Sequence, residues 1–99
     1  MRTLDDLRRD IDRVDEALVR LLNERARMAC ELGRIKQELG IEVYQPAREK
    51  QVLAHVRDLG SQGPLGSDAI ARLFERIIDE ARRLERRLMH GEEPFPERD

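Results

Sequence analysis

A chain of 99 residues suits one domain, large enough for a modest core and small enough that oligomerisation would help it. Charged side chains make up 40%, but 19 basic against 21 acidic residues leave a formal net charge of −2, and aromatics are only 3%, so nucleic acid is not an expected partner. No apolar run approaches the roughly 20 residues of a membrane span, the amino terminus lacks a signal-peptide core, and Cys30 is the single cysteine, so a cytoplasmic protein with no membrane partner and no intrachain disulfide is expected.

The first element predicted is one very long helix over Leu4–Leu39. Its apolar residues follow a heptad, with Leu4, Ile11, Leu18, Arg25, Leu32 and Leu39 at a positions and Leu7, Val14, Leu21, Met28 and Ile35 at d positions. Thr3 suits the N-cap, Asp5 and Asp6 suit the positive end of the helix dipole, and Gly40 suits the left-handed C′ position. At about 1.5 Å per residue such a helix runs roughly 54 Å, well beyond the roughly 30 Å of a small domain. One chain cannot cover it, so a homodimer that wraps partner helices along the seam is expected. Cys30, at an f position, is expected on the outer face.

Arg25 is the one seam residue that is not apolar. A guanidinium stays charged at any physiological pH, so its place there requires a buried carboxylate, an anionic ligand, or a side chain that sets register or snorkels to water. The helix alone leaves these open and favours the last.

The segment Ile41 to Gln45 has a short β-like composition. Pro46 then opens a second helix with Ala47, Arg48 and Glu49 in its first turn and Val52, Leu53, Val56 and Leu59 on one face, ending near Gly60. Ser61 to Gly66 is a loop. Ser67 or Asp68 caps a third helix with Ile70, Phe74, Ile77, Ala81, Leu84 and Leu88 as its stripe, widened by Leu73 and Ile78, and Gly91 marks its end. An all-α domain of three helices is thus expected over residues 1–90, with a disordered, Pro-containing tail over 91–99.

Several polar residues fall where these faces should meet. Lys36 lies three turns beyond Arg25, Arg8 holds an e position at the start of the seam, Arg48 and Glu49 extend the apolar face of the second helix, and Glu85 rides the edge of the third helix's stripe. Four cations against Glu49 and Glu85 leave surplus positive charge, which suits a pocket for a small dicarboxylate. A plain ion pair of Glu85 with Arg25 or Lys36 fits the same spacing equally well. His55 and His90 are isolated, so neither a metal centre nor a His-activated nucleophile is expected.

Three stretches, LRRDIDRVDEALVRLLNERARMACELGRIK, VYQPAREKQVL and IARLFERIIDEARRLE, resemble the all-helical class of chorismate mutases (type II, AroQ-like) in order and spacing, over about Leu4 to Met89. The resemblance implies an intertwined homodimer whose two active sites are each completed by an arginine of the other chain. It implies a Claisen rearrangement of chorismate to prephenate in the shikimate pathway of aromatic amino-acid biosynthesis, with no cofactor. Residue by residue, it implies that Arg25 and Arg48 hold substrate carboxylates, that Arg8 is the arginine lent across the dimer, that Lys36 reaches the ether oxygen, and that Glu49 binds the substrate hydroxyl. Gln45 stands where an aspartate is usual, Ala81 where a serine assists with a carboxylate, and Glu85 where a glutamine donates to the ether oxygen; fungal members are similar in having glutamate there. A carboxyl group can donate at that position only while protonated.

An isochorismate-pyruvate lyase, which shares the fold and a similar cationic pocket, is the alternative closest in chemistry. A partner-dependent regulatory module of the same pathway, bound to another of its enzymes, is a second. A purely structural dimerisation helix leaves Arg25, Lys36, Arg48 and Glu49 without a purpose.

Overall fold

The computed structural model describes residues 1–91. They form three helices, α1 (Leu4–Leu39), α2 (Pro46–Gly60) and α3 (Gly66–Met89), and no strand occurs among them. Of the tail expected at 91–99, Gly91 is a turn residue with φ +76°, and residues 92–99 lie outside the described residues.

The ends of α1 follow from local chemistry. Thr3 is extended and its hydroxyl accepts from the Asp6 N–H at 3.1 Å, while the Asp6 carboxylate accepts from the Thr3 N–H at 3.0 Å, a reciprocal capping box. That backbone donor, helped by Arg9 at 2.6 Å, holds the Asp6 carboxyl below the usual carboxylate range. The cap therefore contributes fully above that range and is lost as pH falls through it. At the other end Gly40 takes φ +69°, and the Gly40 and Ile41 N–H groups bond back to Gln37 and Lys36, closing the helix.

Residues 41–45 form no strand despite their composition, having no neighbouring strand to pair with; Val43 instead turns inward and is buried. Pro46 starts α2 as expected, at a position where its missing N–H costs nothing. Neither Ser67 nor Asp68 caps α3. That helix starts at Gly66, two residues earlier than a Ser67 cap would place it, after Leu65 with no side-chain cap. The reason is the nearness of α2: the Ser67 hydroxyl donates to the Arg57 carbonyl at 2.7 Å and Asp68 pairs with the Arg57 guanidinium at 2.7 Å. This approach is close enough that a Cβ on Gly60 would stand 2.8 Å from Cγ1 of Ile70.

Helix α3 packs against both α1 and α2, whereas α1 and α2 do not pack on one another. The molecule measures 57 × 40 × 14 Å, and since a helix with its side chains is about 10–12 Å across, it is a slab one helix thick. The buried residues of α1 are Ala29, Cys30 and Gly33, at e, f and b positions. Cys30 is therefore not on an outer face; it is 1% exposed. The small side chains of this line let α3 come close, and a Cβ on Gly33 would lie 3.2 Å from the Glu85 Cα. The heptad seam of α1 is exposed by contrast, with Val14 at 64% and Leu21 at 61%.

Candidate active site

A partly open hollow of about 320 Å³ lies between the C-terminal half of α1, the 41–45 segment, the first turns of α2 and the middle of α3. It brings together seven of the eight residues singled out in the sequence. Arg25 and Lys36 come from α1, Gln45, Arg48 and Glu49 from the entry to α2, and Ala81 and Glu85 from α3, over an apolar wall that includes Met28, Leu32, Val43 and Val52. Arg8 does not line it. At about 1.5 Å per residue Arg8 stands roughly 25 Å from Arg25 along their shared helix, with its side chain exposed.

At the centre, the Lys36 ammonium donates to Oε1 of Glu85 at 2.7 Å and to the Val43 carbonyl at 3.0 Å. The side chains are 14% and 6% exposed, so the pair is held away from bulk water, where breaking it would strand a charge. Of the two readings that the spacing left open for Glu85, the ion pair is the arrangement seen here, with Glu85 as acceptor. Gln45 borders the hollow but its amide nitrogen donates to the Glu42 carbonyl at 2.8 Å, which orients it toward its own loop.

A fourth cation of the hollow, Arg82, was not among the candidates. Its Nε lies 3.1 Å from Oε2 of Glu49, its Nη2 lies 3.9 Å from Asp79, and its guanidinium sits 5.5 Å from the centre of the Tyr44 ring. In the sequence it is half of an Arg82-Arg83 pair on a highly charged helix, which reads as solvated surface. The available signal was spacing: Arg82 follows Ile78 by four residues and precedes Glu85 by three, and Ile78 and Glu85 are both buried.

The charge count has a definite form. Lys36 is answered by Glu85 and Arg82 by Glu49, whereas Arg25 and Arg48 make no ion pair among the described residues. Two unanswered guanidiniums therefore face one small chamber, and two carboxylates on a single ligand would match them, with bidentate geometry available to each. Neither His55 nor His90 lines the chamber, and among the described residues no cluster of His, Cys, Asp and Glu could hold a metal ion. A second hollow of about 340 Å³ lies in the groove between α1 and α3, bordered mainly by Leu22, Ala26, Ile77 and Leu84. Of its two arginines, Arg76 is paired with Glu80, and Arg25 is shared with the first chamber. Only the first of these two hollows sets Arg48 beside Arg25. No helix is long and apolar enough to cross a membrane among the described residues.

Comparison with known proteins places the chain in a family. The profile of the family described as chorismate mutase type II matches residues 7–86. The chain is 41% identical over 90 residues to a bifunctional chorismate mutase/prephenate dehydratase of Neisseria gonorrhoeae, covering 87% of this chain and 24% of that protein. It is 33% identical over 91 residues to the protein of the same name from Aquifex aeolicus, covering 89% of this chain and 25% of that one. It is 27% identical over 86 residues to a chorismate mutase of Methanocaldococcus jannaschii, covering 87% of each. The chain thus spans about a quarter of the length of the bifunctional relatives and most of the length of the archaeal one.

Proposed function

The chain belongs to the type II chorismate mutase family, and from that premise we propose that it rearranges chorismate to prephenate in aromatic amino-acid biosynthesis. The observation that carries this reading is the pair of unanswered guanidiniums, Arg25 and Arg48, in a chamber whose other charges are already matched. Chorismate is a dianion. The reaction breaks an ether C–O bond as a C–C bond forms, in one step, with no proton transfer, nucleophile or cofactor.

What such a step requires is a flexible dianion held folded and a counter-charge for the ether oxygen as its bond lengthens. Arg25 and Arg48 hold the carboxylates, and Glu49 accepts from the substrate hydroxyl. Lys36 supplies the positive charge at the ether oxygen, and Glu85, as the acceptor of the Lys36 ammonium, holds that charge in place. Helix-borne side chains are fixed before substrate arrives, so little reorientation accompanies bond breaking. Gln45 and Ala81 shape the wall without adding charge.

The active form in this reading is an intertwined cytoplasmic homodimer in which Arg8 of each chain completes the other's chamber. Two observations support it. Arg8 lies too far along α1 to reach its own chamber, and the seam of α1 leaves ten large apolar side chains exposed. Fully burying a side chain of this kind is worth about 1.5–3 kcal/mol. Even half of that over the seam rivals the total stability of a small domain, about 5–15 kcal/mol. An enzyme of the same pathway is a candidate further partner, since relatives join a chorismate mutase to a prephenate dehydratase in one protein.

The test is to supply purified protein with chorismate and, separately, isochorismate, and to identify products by chromatography and mass. Prephenate from chorismate is the expected result. Pyruvate released from isochorismate with no prephenate formed from chorismate would replace this reading with the lyase.

A further inference from the structure

We propose that Arg82 is a positioning residue, which fixes Glu49 as the acceptor for the substrate hydroxyl and cancels the charge that Glu49 would otherwise turn against a dianion. The inference rests on the mutase reading for its substrate, but its geometry stands on its own. Glu49 lies in the first turn of α2 and is 22% exposed, and the cation that answers it comes from α3. Arg82, 26% exposed, is itself held on three sides, by Glu49, by Asp79 one turn back on its own helix and by the Tyr44 ring.

The contact has an informative imperfection. Nε of Arg82 is buried and 3.1 Å from Oε2 of Glu49, yet it makes no aligned hydrogen bond. The attraction is that of charges at short range, and it engages one carboxylate oxygen. The other oxygen keeps its capacity to accept from a ligand. A carboxylate standing alone in this chamber would weaken the hold of Arg25 and Arg48 on two further carboxylates. With Arg82 beside it, the same group offers an acceptor at no net charge.

The role acts through Glu49, so it must vanish when Glu49 is made neutral. Arg82→Met keeps an unbranched stem and removes the charge, and in the parent it is expected to raise KM for chorismate about tenfold or more, the equivalent of one lost charge-assisted contact. In a Glu49→Gln background the same substitution is expected to change KM less than about twofold. Arg82→Lys, which restores charge but not the flat contact with Tyr44, should recover part of the loss. Thermal unfolding of each variant separates folding from function. An equal loss in both backgrounds would mark Arg82 as structural and overturn the proposal. Should the parent fail to turn over chorismate, the mutase reading falls, and calorimetric binding of malate across the same four proteins still decides the role of Arg82: a loss confined to the Glu49 background supports it, and an equal loss refutes it.

Discussion

The two halves of α1 carry the same heptad and meet different fates. From Leu4 to Glu24 no residue is buried, whereas the second half holds Ala29, Cys30 and Gly33 beneath α3. The apolar a and d residues are exposed in both halves, from Leu4 and Leu18 to Met28 and Leu39, so the seam does not decide which half packs within the chain. The b, e and f positions decide it. Between Ala26 and Gly33 they run Ala26, Ala29, Cys30 and Gly33, small enough for another helix to approach; between Asp5 and Glu16 they are Asp5, Arg8, Arg9, Asp12, Asp15 and Glu16. One helix thus presents a narrow face of small residues to its own chain and a broad face of large ones to something else.

The strongest attack on this comparison is a charge in the first half's seam. Leu18→Glu removes nothing from intrachain packing, so a self-sufficient chain would tolerate it within about 0.5 kcal/mol. The dimer reading predicts loss of association and of nearly all turnover, read by sedimentation and by chorismate consumption. In the second half, Lys36→Ala leaves Glu85 buried without its counter-charge and is expected to cost about 3–5 kcal/mol in urea unfolding, together with catalysis. A smaller contrast comes from equal heptad positions. Gly33→Leu must push α3 away from Glu85 and should cost about 1–3 kcal/mol, while Asp12→Leu, also at b but in the open half, should change intrachain stability by less than about 0.5 kcal/mol.

How much of this was legible in the sequence depends on the range of the forces involved. Thr3, Gly40 and Pro46 act on their own backbone within a turn, so the bounds of α1 and the start of α2 follow from residue type. The start of α3 does not, because Ser67 and Asp68 spend their polar groups on Arg57, ten and eleven residues away. Cys30 was misplaced because a heptad describes the face a helix offers to a coiled-coil partner, and α3 uses another face. Arg25, Lys36, Arg48, Glu49 and Glu85 were recognisable as charges on apolar faces. Arg82 was not, since only the packing of α2 on α3 shows that its neighbour is Glu49.

The junction at Lys36 has a further consequence. Its ammonium spans from α1 to the carbonyl of Val43, just before α2, and to Glu85 on α3, in a molecule whose first two helices do not otherwise pack together. The atom assigned to the breaking bond is also a rivet through three segments of the scaffold. Selection at this site cannot trade catalysis against architecture, because any replacement is judged on both at once, and drift there should be far slower than at Gln45 or Ala81, which carry no such double duty.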